Sequence, residues 1–161
     1  MTDMLQSVVK EPGGTGRSIR RKFRFMVDAA GKTGTTNAYA DAWFIGFTPH
    51  LVAGIWVGMD DQSLSLWERQ SGAVAALPLW AQFMKEVYVT VEPYRSKAKE
   101  KFDFPEDLVM NRDVCEESDR LATKFCPRRR AEMFIVEGAQ PAQCPVHGGS
   151  GSQSKGRIQR F

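Results

Sequence analysis

The sequence predicts an α+β protein in which an antiparallel sheet is covered by helices and is followed by a small C-terminal appendage. Three observations support this prediction: strand-like runs before residue 58, the tight Thr48-Pro49-His50 connection between two of them, and an amphipathic helix pattern over residues 76–89. The chain has 161 residues, of which 42% are hydrophobic. It is therefore long enough to bury the core of one ordinary domain.

The composition narrows the class of protein. Charged residues make up 25% of the chain, which does not indicate wholesale disorder, and the net charge of +3 does not by itself indicate a nucleic-acid partner. The basic run over residues 17–24 is more typical of a solvated loop than of a nucleic-acid-binding arm.

No apolar run reaches 18 residues, and residues 1–10 lack a signal-peptide pattern. We therefore expect neither a membrane segment nor an export signal in this chain.

The elements of the first part follow from local patterns. An apolar stripe at helical spacing within residues 4–9 predicts a short helix. Strand-like runs follow at about 27–37, 41–47 and 51–58, and the last two should pair as an antiparallel hairpin. Both hairpin strands are apolar at nearly every position, which predicts a sheet covered on both faces. In that arrangement Trp43 should be a core residue.

Residues 76–89 show the clearest helix pattern. Pro78 suits the first turn of a helix. Trp80, Phe83, Met84 and Val87 fall at positions i, i+3, i+4 and i+7, so they form one apolar stripe. We expect this stripe to pack on one face of the sheet.

The composition of the sequence changes after Val91, where a charged stretch that contains a proline begins. The change predicts a main domain at residues 1–91, a charged linker at 92–101, and a small module at 102–147 with one good strand at 132–136. Residues 148–161 are rich in glycine and serine and are expected to form a flexible tail.

The stretch AAGKTGTTN, at residues 29–37, places glycine, lysine and threonine in the order of a P-loop. A P-loop would need a glycine where Met26 stands, and it must open a helix. Thr33, Thr35 and Thr36 are β-branched and favour a strand instead. The phosphate-loop interpretation therefore fails on both counts.

A strand accounts better for these residues. Alternation places Lys32, Gly34 and Thr36 on one face, and Thr33 and Thr35 on the other. On an edge strand, the twist would let the lysine and the threonines reach a neighbouring groove, and Gly34 would let a substrate backbone approach closely. An ammonium and hydroxyls suit the carboxylate of an extended peptide. An ordinary strand with a surface lysine is the alternative, because K-T-G alone is a weak signal.

The K-T-G motif lies within a longer pattern. The stretch GKTGTTNAYADAWFIGFTPHLVAGIWVGMDD, followed by GAVAALPLWAQFMK, resembles the C-terminal end of class A penicillin-binding proteins, the bifunctional peptidoglycan glycosyltransferase/transpeptidases. The resemblance runs over about residues 1–89. The FCP…MFIVEGAQPAQCPVH pattern resembles a C-terminal extension that some of these enzymes carry. The resemblance implies part of a penicillin-binding/serine β-lactamase-like transpeptidase fold.

The resemblance implies a role for each residue of the motif. The family uses S-x-x-K, S-x-N and K-[TS]-G. Lys32 would position the terminal carboxylate of the substrate and support proton movement, and Thr33 and Thr35 would offer that carboxylate their hydroxyls. The backbone N–H of Thr35 would supply half of the oxyanion hole. Gly34 would keep the strand edge open, and Thr36 belongs to the same substrate-binding stretch.

The departures from the family concern the nucleophile. In the family, S-x-x-K and S-x-N precede K-T-G. Neither motif is assigned among the residues before Lys32. Two S-x-x-K matches, at residues 96–99 and 152–155, lie downstream of Lys32 and are interpreted as chance. We therefore expect a C-terminal fragment of an extracytoplasmic transpeptidase that is inactive alone and lacks the N-terminal part of the enzyme.

The same resemblance implies the partners of the complete enzyme. These would be the D-Ala-D-Ala stem peptide of peptidoglycan and β-lactams, with no cofactor. One alternative is a non-catalytic protein that binds cell-wall peptide. Another is a fragment of a β-lactamase or a D,D-carboxypeptidase, since these enzymes share the motif.

Three cysteines lie in the last third of the chain. Cys126 and Cys144 each precede a proline and flank the predicted strand, and the family works outside the cytoplasmic membrane, so we predict a disulfide between them. A metal site built from Cys115, Cys126, Cys144 and His147 is ranked second, because no C-x-x-C pair occurs. Three unpaired thiols remain a further alternative.

Overall fold

The computed structural model describes residues 1–61 and 63–148. They form two compact units, of which the first is Met1–Asp103 and the second begins at Phe104. From position 149 onward the predicted flexible tail lies outside the described residues. The helices and strands, in chain order, are α1 (Thr2–Lys10), α2 (Ser18–Arg21), β1 (Ala30–Thr35), β2 (Asp41–Phe47), β3 (Val52–Gly58), α3 (Ala76–Thr90), β4 (Val109–Cys115) and β5 (Arg129–Ile135).

The first unit is built on an antiparallel sheet with the order β1-β2-β3. β2 and β3 form the predicted hairpin, in which Trp43 lies opposite Trp56. β1 pairs with β2 so that Lys32 lies opposite Ile45 and Thr35 opposite Ala42. The predicted α+β class with an antiparallel sheet is confirmed.

The core of the first unit lies between the sheet and α3. Phe44 on β2 and Trp80 on α3 are fully buried, and their ring centroids are 5.1 Å apart in an edge-to-face arrangement. The Trp80 indole N–H donates to the Ala53 carbonyl over 3.0 Å. A Cβ at Gly46 would come within 2.7 Å of the Trp80 ring, so glycine at this position lets the indole lie flat against the strand.

The prediction that both faces of the sheet are covered is wrong for the described part of the chain. Side chains along β2 alternate between buried and accessible, with Ala42, Phe44 and Gly46 on the buried face. Trp43 is 43% exposed and Trp56 is 44% exposed, so Trp43 is not the core residue that its sequence context suggested. A strand with apolar residues on both faces does not reveal which face the helix will cover.

The apolar stripe of α3 is rotated relative to its prediction. The buried residues of this helix are Ala76, Leu77, Trp80, Ala81, Met84 and Tyr88. Phe83 is half exposed, because the stripe follows positions 77, 80, 84 and 88. The Tyr88 hydroxyl lies 2.6 Å from the Thr48 hydroxyl, which pairs two polar groups inside the core. Within residues 1–61 and 63–148, no helix combines the length and the apolar character that crossing a membrane requires.

The second unit contains a two-stranded antiparallel sheet rather than the single predicted strand. β4 pairs with β5 so that Val109 lies opposite Ile135 and Cys115 opposite Arg129. β4 was not predicted, because its sequence VMNRDVC places polar residues at its centre and buries only Val114 and Cys115. The strand ends where the first cysteine lies.

Candidate functional site

The K-T-G motif lies on β1, at an edge of the sheet. Among the described residues, β2 is the only strand that pairs with β1. The Lys32 side chain is exposed, and its ammonium donates to the Thr33 carbonyl over 2.7 Å. The motif lysine is therefore accessible at a strand whose outer edge no other described strand covers.

The backbone N–H groups of the motif point alternately toward β2 and toward the outer edge of the sheet. The N–H of Thr36 donates to the Asp41 carbonyl over 3.1 Å, so the polar groups of this residue point toward β2. Successive residues of an antiparallel strand point their N–H and C=O groups alternately toward and away from the partner strand. The N–H groups of Thr33 and Thr35 therefore point to the outer edge, where the Lys32 ammonium binds the Thr33 carbonyl.

The side chains of the motif alternate as predicted. In the β1–β2 register, Lys32 and Gly34 share a face with the exposed Trp43, whereas Thr33 and Thr35 lie on the opposite face. A Cβ at Gly34 would lie 3.2 Å from the Trp43 Cβ, so any side chain at this position would press on the indole. The motif thus combines a cation on one face with two hydroxyls on the other.

The threonine hydroxyls have partners within the first unit. The Thr33 hydroxyl lies 3.1 Å from the hydroxyl of Thr15, in the turn region after α1. The Thr36 hydroxyl accepts the N–H of Asp41 over 2.8 Å, which closes the turn after β1. The Thr36 hydroxyl is therefore used to close the turn, whereas the Thr33 hydroxyl links β1 to the loop that follows α1.

The Thr35 hydroxyl accepts a hydrogen bond from Gly72, a residue that was not predicted to belong to the site. The N–H of Gly72 donates to the Thr35 hydroxyl oxygen over 3.0 Å, from the loop between β3 and α3. A Cβ at Gly72 would lie 2.2 Å from the Trp43 carbonyl oxygen and 2.6 Å from that of Gly34. Only glycine allows this close approach to the β1–β2 pair. The Ser71-Gly72 step before α3 was the one local signal that could have drawn attention to this position.

An S-x-x-K match that was not predicted lies upstream of the motif, at Ser7 and Lys10 on α1. The Ser7 hydroxyl donates to the Asp3 carbonyl over 3.3 Å within the helix. The Lys10 ammonium lies 2.8 Å from an Asp28 carboxylate oxygen. The two side chains are therefore engaged with other partners and do not form a serine–lysine pair.

The three cysteines and His147 gather in the second unit. Cys115 ends β4, Cys126 lies in the turn before β5, and Cys144 and His147 lie in the loop after β5. The structure differs from the predicted Cys126–Cys144 disulfide, because all three cysteines are free thiols and all are buried. Their sulfurs and an imidazole nitrogen lie within 4.8 Å of one another, which is the arrangement of the alternative metal site.

The surroundings of Cys144 favour a thiolate. Burial raises the pKa of this thiol, but the hydrogen bonds from the Ser118 hydroxyl and from the N–H of His147 outweigh that effect. The net result lowers the pKa of Cys144 to about 6.

No protein-family model matches the chain, but characterised proteins are similar to it. It is 39% identical over 140 residues to penicillin-binding protein 1A of Aquifex aeolicus, and 31% identical over 160 residues to penicillin-binding protein 1A of Escherichia coli. These matches cover 86% and 88% of this chain and 17% of each relative.

A solved structure gives the same result. The crystal structure of penicillin-binding protein 1A from Haemophilus influenzae matches with a TM-score of 0.67 and 28% identity, over 88% of this chain and 20% of that one. The chain therefore spans about a fifth or less of the length of the proteins that it resembles.

Proposed function

The chain is homologous to class A penicillin-binding protein 1A, and on that premise we propose that its first unit supplies the substrate-binding K-T-G strand of a peptidoglycan D-alanyl-D-alanine transpeptidase. The observation that carries the proposal is the exposed Lys32 ammonium on the outer edge of β1, 2.7 Å from the Thr33 carbonyl. The substrate would be the stem peptide of peptidoglycan, and β-lactams would bind at the same edge. The complete enzyme would act outside the cytoplasmic membrane.

An extended peptide fits this edge for a simple reason. A strand edge presents backbone N–H and C=O groups that can pair with a second extended backbone. Lys32 places a positive charge beside those groups, so a peptide that pairs with β1 would bring its terminal carboxylate within reach of an ammonium. The lysine would give up its bond to the neutral Thr33 carbonyl in favour of the charged carboxylate.

The contact between Gly72 and Thr35 determines which hydrogen-bonding role is left to the Thr35 hydroxyl. Because the oxygen of Thr35 accepts the Gly72 N–H, the hydroxyl proton is left to donate to another group. A substrate carboxylate is a strong acceptor for such a proton. Lys32 and Thr35 leave opposite faces of β1, and the twist of an edge strand would let both reach around the outer edge to one carboxylate. Thr33, on the same face as Thr35, would add a second hydroxyl.

The backbone of Thr35 would contribute to the chemical step. Its N–H points to the outer edge by the alternation set at Thr36, so it can donate to the oxygen that becomes negative when a serine attacks the substrate carbonyl. One such donor is typically worth about 3 kcal/mol of the barrier. The proposal covers binding and oxyanion stabilisation, because the serine that would attack is not identified in this chain.

The second candidate function is binding of cell-wall peptide without catalysis. The observation that favours it is that Ser7 and Lys10, the S-x-x-K residues upstream of the motif, contact Asp3 and Asp28 rather than each other. In that case the same strand would hold the peptide without forming an acyl intermediate. The two functions share the binding step and differ only in covalent chemistry.

The binding step can be tested on the chain itself. Amide chemical shifts would be followed by NMR while a short peptide ending in D-Ala-D-Ala is added. We expect the shifts of β1 to change, Lys32→Ala to weaken binding at least about tenfold, and the same peptide with a C-terminal amide to bind as weakly. Lys85→Ala, which removes an exposed lysine from α3, should leave binding unchanged. Equal binding by the Lys32→Ala and Lys85→Ala variants would refute the proposed role of Lys32.

A further inference from the structure

We propose that Cys115, Cys126, Cys144 and His147 bind one Zn²⁺ ion as a closed structural site in the second unit. Three thiolates and one imidazole are a common ligand set of structural zinc. The four ligand atoms lie within 4.8 Å of one another, and they come from three separate segments of the chain. This inference is independent of the K-T-G strand and of the function proposed for it.

Two of the distances between ligand atoms match a tetrahedral site. With zinc–sulfur bonds of about 2.3 Å and a zinc–nitrogen bond of about 2.0 Å, a tetrahedron has sulfur–nitrogen edges of about 3.5 Å. The Nδ1 atom of His147 lies 3.5 Å from the Cys115 sulfur and 3.4 Å from the Cys144 sulfur. Two of the edges that involve the imidazole are therefore already at the length that a central zinc ion requires.

The orientation of His147 also fits a metal ligand. Its Nδ1 atom faces the sulfurs, and its Nε2 atom lies 3.4 Å from a carboxylate oxygen of Glu117. A histidine that binds a metal through one nitrogen usually presents the other to a carboxylate or carbonyl, which fixes the tautomer and the ring plane. Glu117 is placed to accept the Nε2 proton and so keep Nδ1 available for the metal.

Hydrogen-bond donors surround the sulfurs. The N–H of Thr123 donates to the Cys126 sulfur over 3.3 Å, and the N–H of His147 donates to the Cys144 sulfur over 3.4 Å. The Ser118 hydroxyl adds a third donor, 3.1 Å from the Cys144 sulfur. Donors of this kind stabilise the thiolate form in which cysteine binds zinc.

The packing of the second unit explains why a metal would be retained. Within residues 104–148, the buried apolar side chains are Val114 and the three cysteines. A small unit with so little hydrophobic core commonly depends on a disulfide or a metal for stability. All three cysteines are buried and all four ligands come from the protein, so the site has no open position for catalysis and resembles a structural one.

Zinc stoichiometry tests the proposal on the full chain. The chain would be produced with zinc in the medium and analysed for metal by mass spectrometry under native conditions. We expect one zinc per chain, and its loss in Cys126→Ser and His147→Ala. The only other histidine, His50, lies in the first unit and pairs with Glu100, so His50→Ala is the matched control and should keep its zinc.

Two further measurements use chains whose four ligands are intact. Replacement of zinc by Co²⁺ should give the absorption bands of a tetrahedral cobalt–thiolate centre, so the result does not depend on the folding of a ligand variant. Glu117→Gln should weaken zinc binding about tenfold to a hundredfold. A metal-free chain, a chain 2 Da lighter because of a disulfide, or zinc content that survives Cys126→Ser would each overturn the proposal.

Discussion

Gly72 donates its backbone N–H to the hydroxyl oxygen of Thr35 over 3.0 Å, and this contact ties the loop before α3 to the K-T-G strand. A Cβ at Gly72 would lie 2.2 Å from the backbone oxygen of Trp43. The loop can therefore reach Thr35 only because residue 72 has no side chain.

We expect Gly72→Ala to displace this loop and to destabilise the first unit by about 1–3 kcal/mol, since backbone atoms would have to move. Thermal and urea unfolding would measure the change. Gly54→Ala is the matched control, because its Cβ would meet the Ile45 side chain at an ordinary 3.6 Å. Equal stability of the two variants would contradict the assigned contact.

Phe44→Ala should destabilise the first unit by about 3–5 kcal/mol, because it removes a fully buried ring that packs on Trp80. Trp43→Ala, one residue away on the exposed face, should cost clearly less. Urea unfolding of both variants provides the comparison. A larger loss at Trp43 would mean that the Trp43 face of β2 is buried and the Phe44 face is exposed.

Asp28 joins several segments of the first unit. Its carboxylate accepts the Gln6 amide at 3.0 Å and the N–H of Phe102 at 3.1 Å, and it lies 2.8 Å from the Lys10 ammonium. Burial raises the pKa of Asp28, but the hydrogen bonds from Lys10 and from the N–H of Phe102, with the charges of Lys10 and Arg20, together hold it below its ordinary value.

The sign of the pH effect follows from that depressed pKa. The charged form of Asp28 contributes stability above the pKa of the unfolded chain, about 3.9, and the contribution is lost as the pH falls through the lower pKa of the folded state. Asp28→Asn should destabilise the chain by about 1–3 kcal/mol at pH 7, and by progressively less as the pH falls below about 3.9. Asp60→Asn, at an exposed site, should change stability little over the same pH range. An Asp28→Asn effect that is as large at pH 3 as at pH 7 would contradict this account.

The purified chain should not be acylated by a labelled β-lactam. Acyl transfer needs a nucleophile, a base beside it and oxyanion donors together, and Ser7 and Lys10 are bound to Asp3 and Asp28 instead of to each other. Intact mass spectrometry after incubation would detect an adduct. A covalent product that disappears in Ser7→Ala would show that the S-x-x-K match at Ser7 and Lys10 is a working nucleophile.

Features with a local cause could be predicted from the sequence. The alternation of Lys32 and Thr33 between faces follows from the two-residue period of a strand, and the β2–β3 hairpin follows from the short connection at Thr48. The helix at α3 was predicted from its apolar period, although its stripe is rotated so that Phe83 is exposed.

Features that depend on distant segments could not be predicted in the same way. Trp43 and Phe44 are both apolar, and only the packing of α3 determines which of them is buried. The approach of Gly72 to Thr35 joins residues that are 37 positions apart. The cysteine and histidine cluster draws on three segments, one of which is the end of a strand with a polar centre.

The most direct test of the K-T-G proposal uses a hybrid enzyme in which residues 1–91 replace the matching segment of penicillin-binding protein 1A from Escherichia coli. We expect the hybrid to be acylated by a labelled β-lactam, and Lys32→Ala to slow acylation at least about a hundredfold without lowering the melting temperature, since the exposed ammonium contributes charge rather than packing. Lys85→Ala should match the unmodified hybrid. A Lys32→Ala hybrid that is acylated as fast as the Lys85→Ala hybrid would contradict the proposed role of this strand.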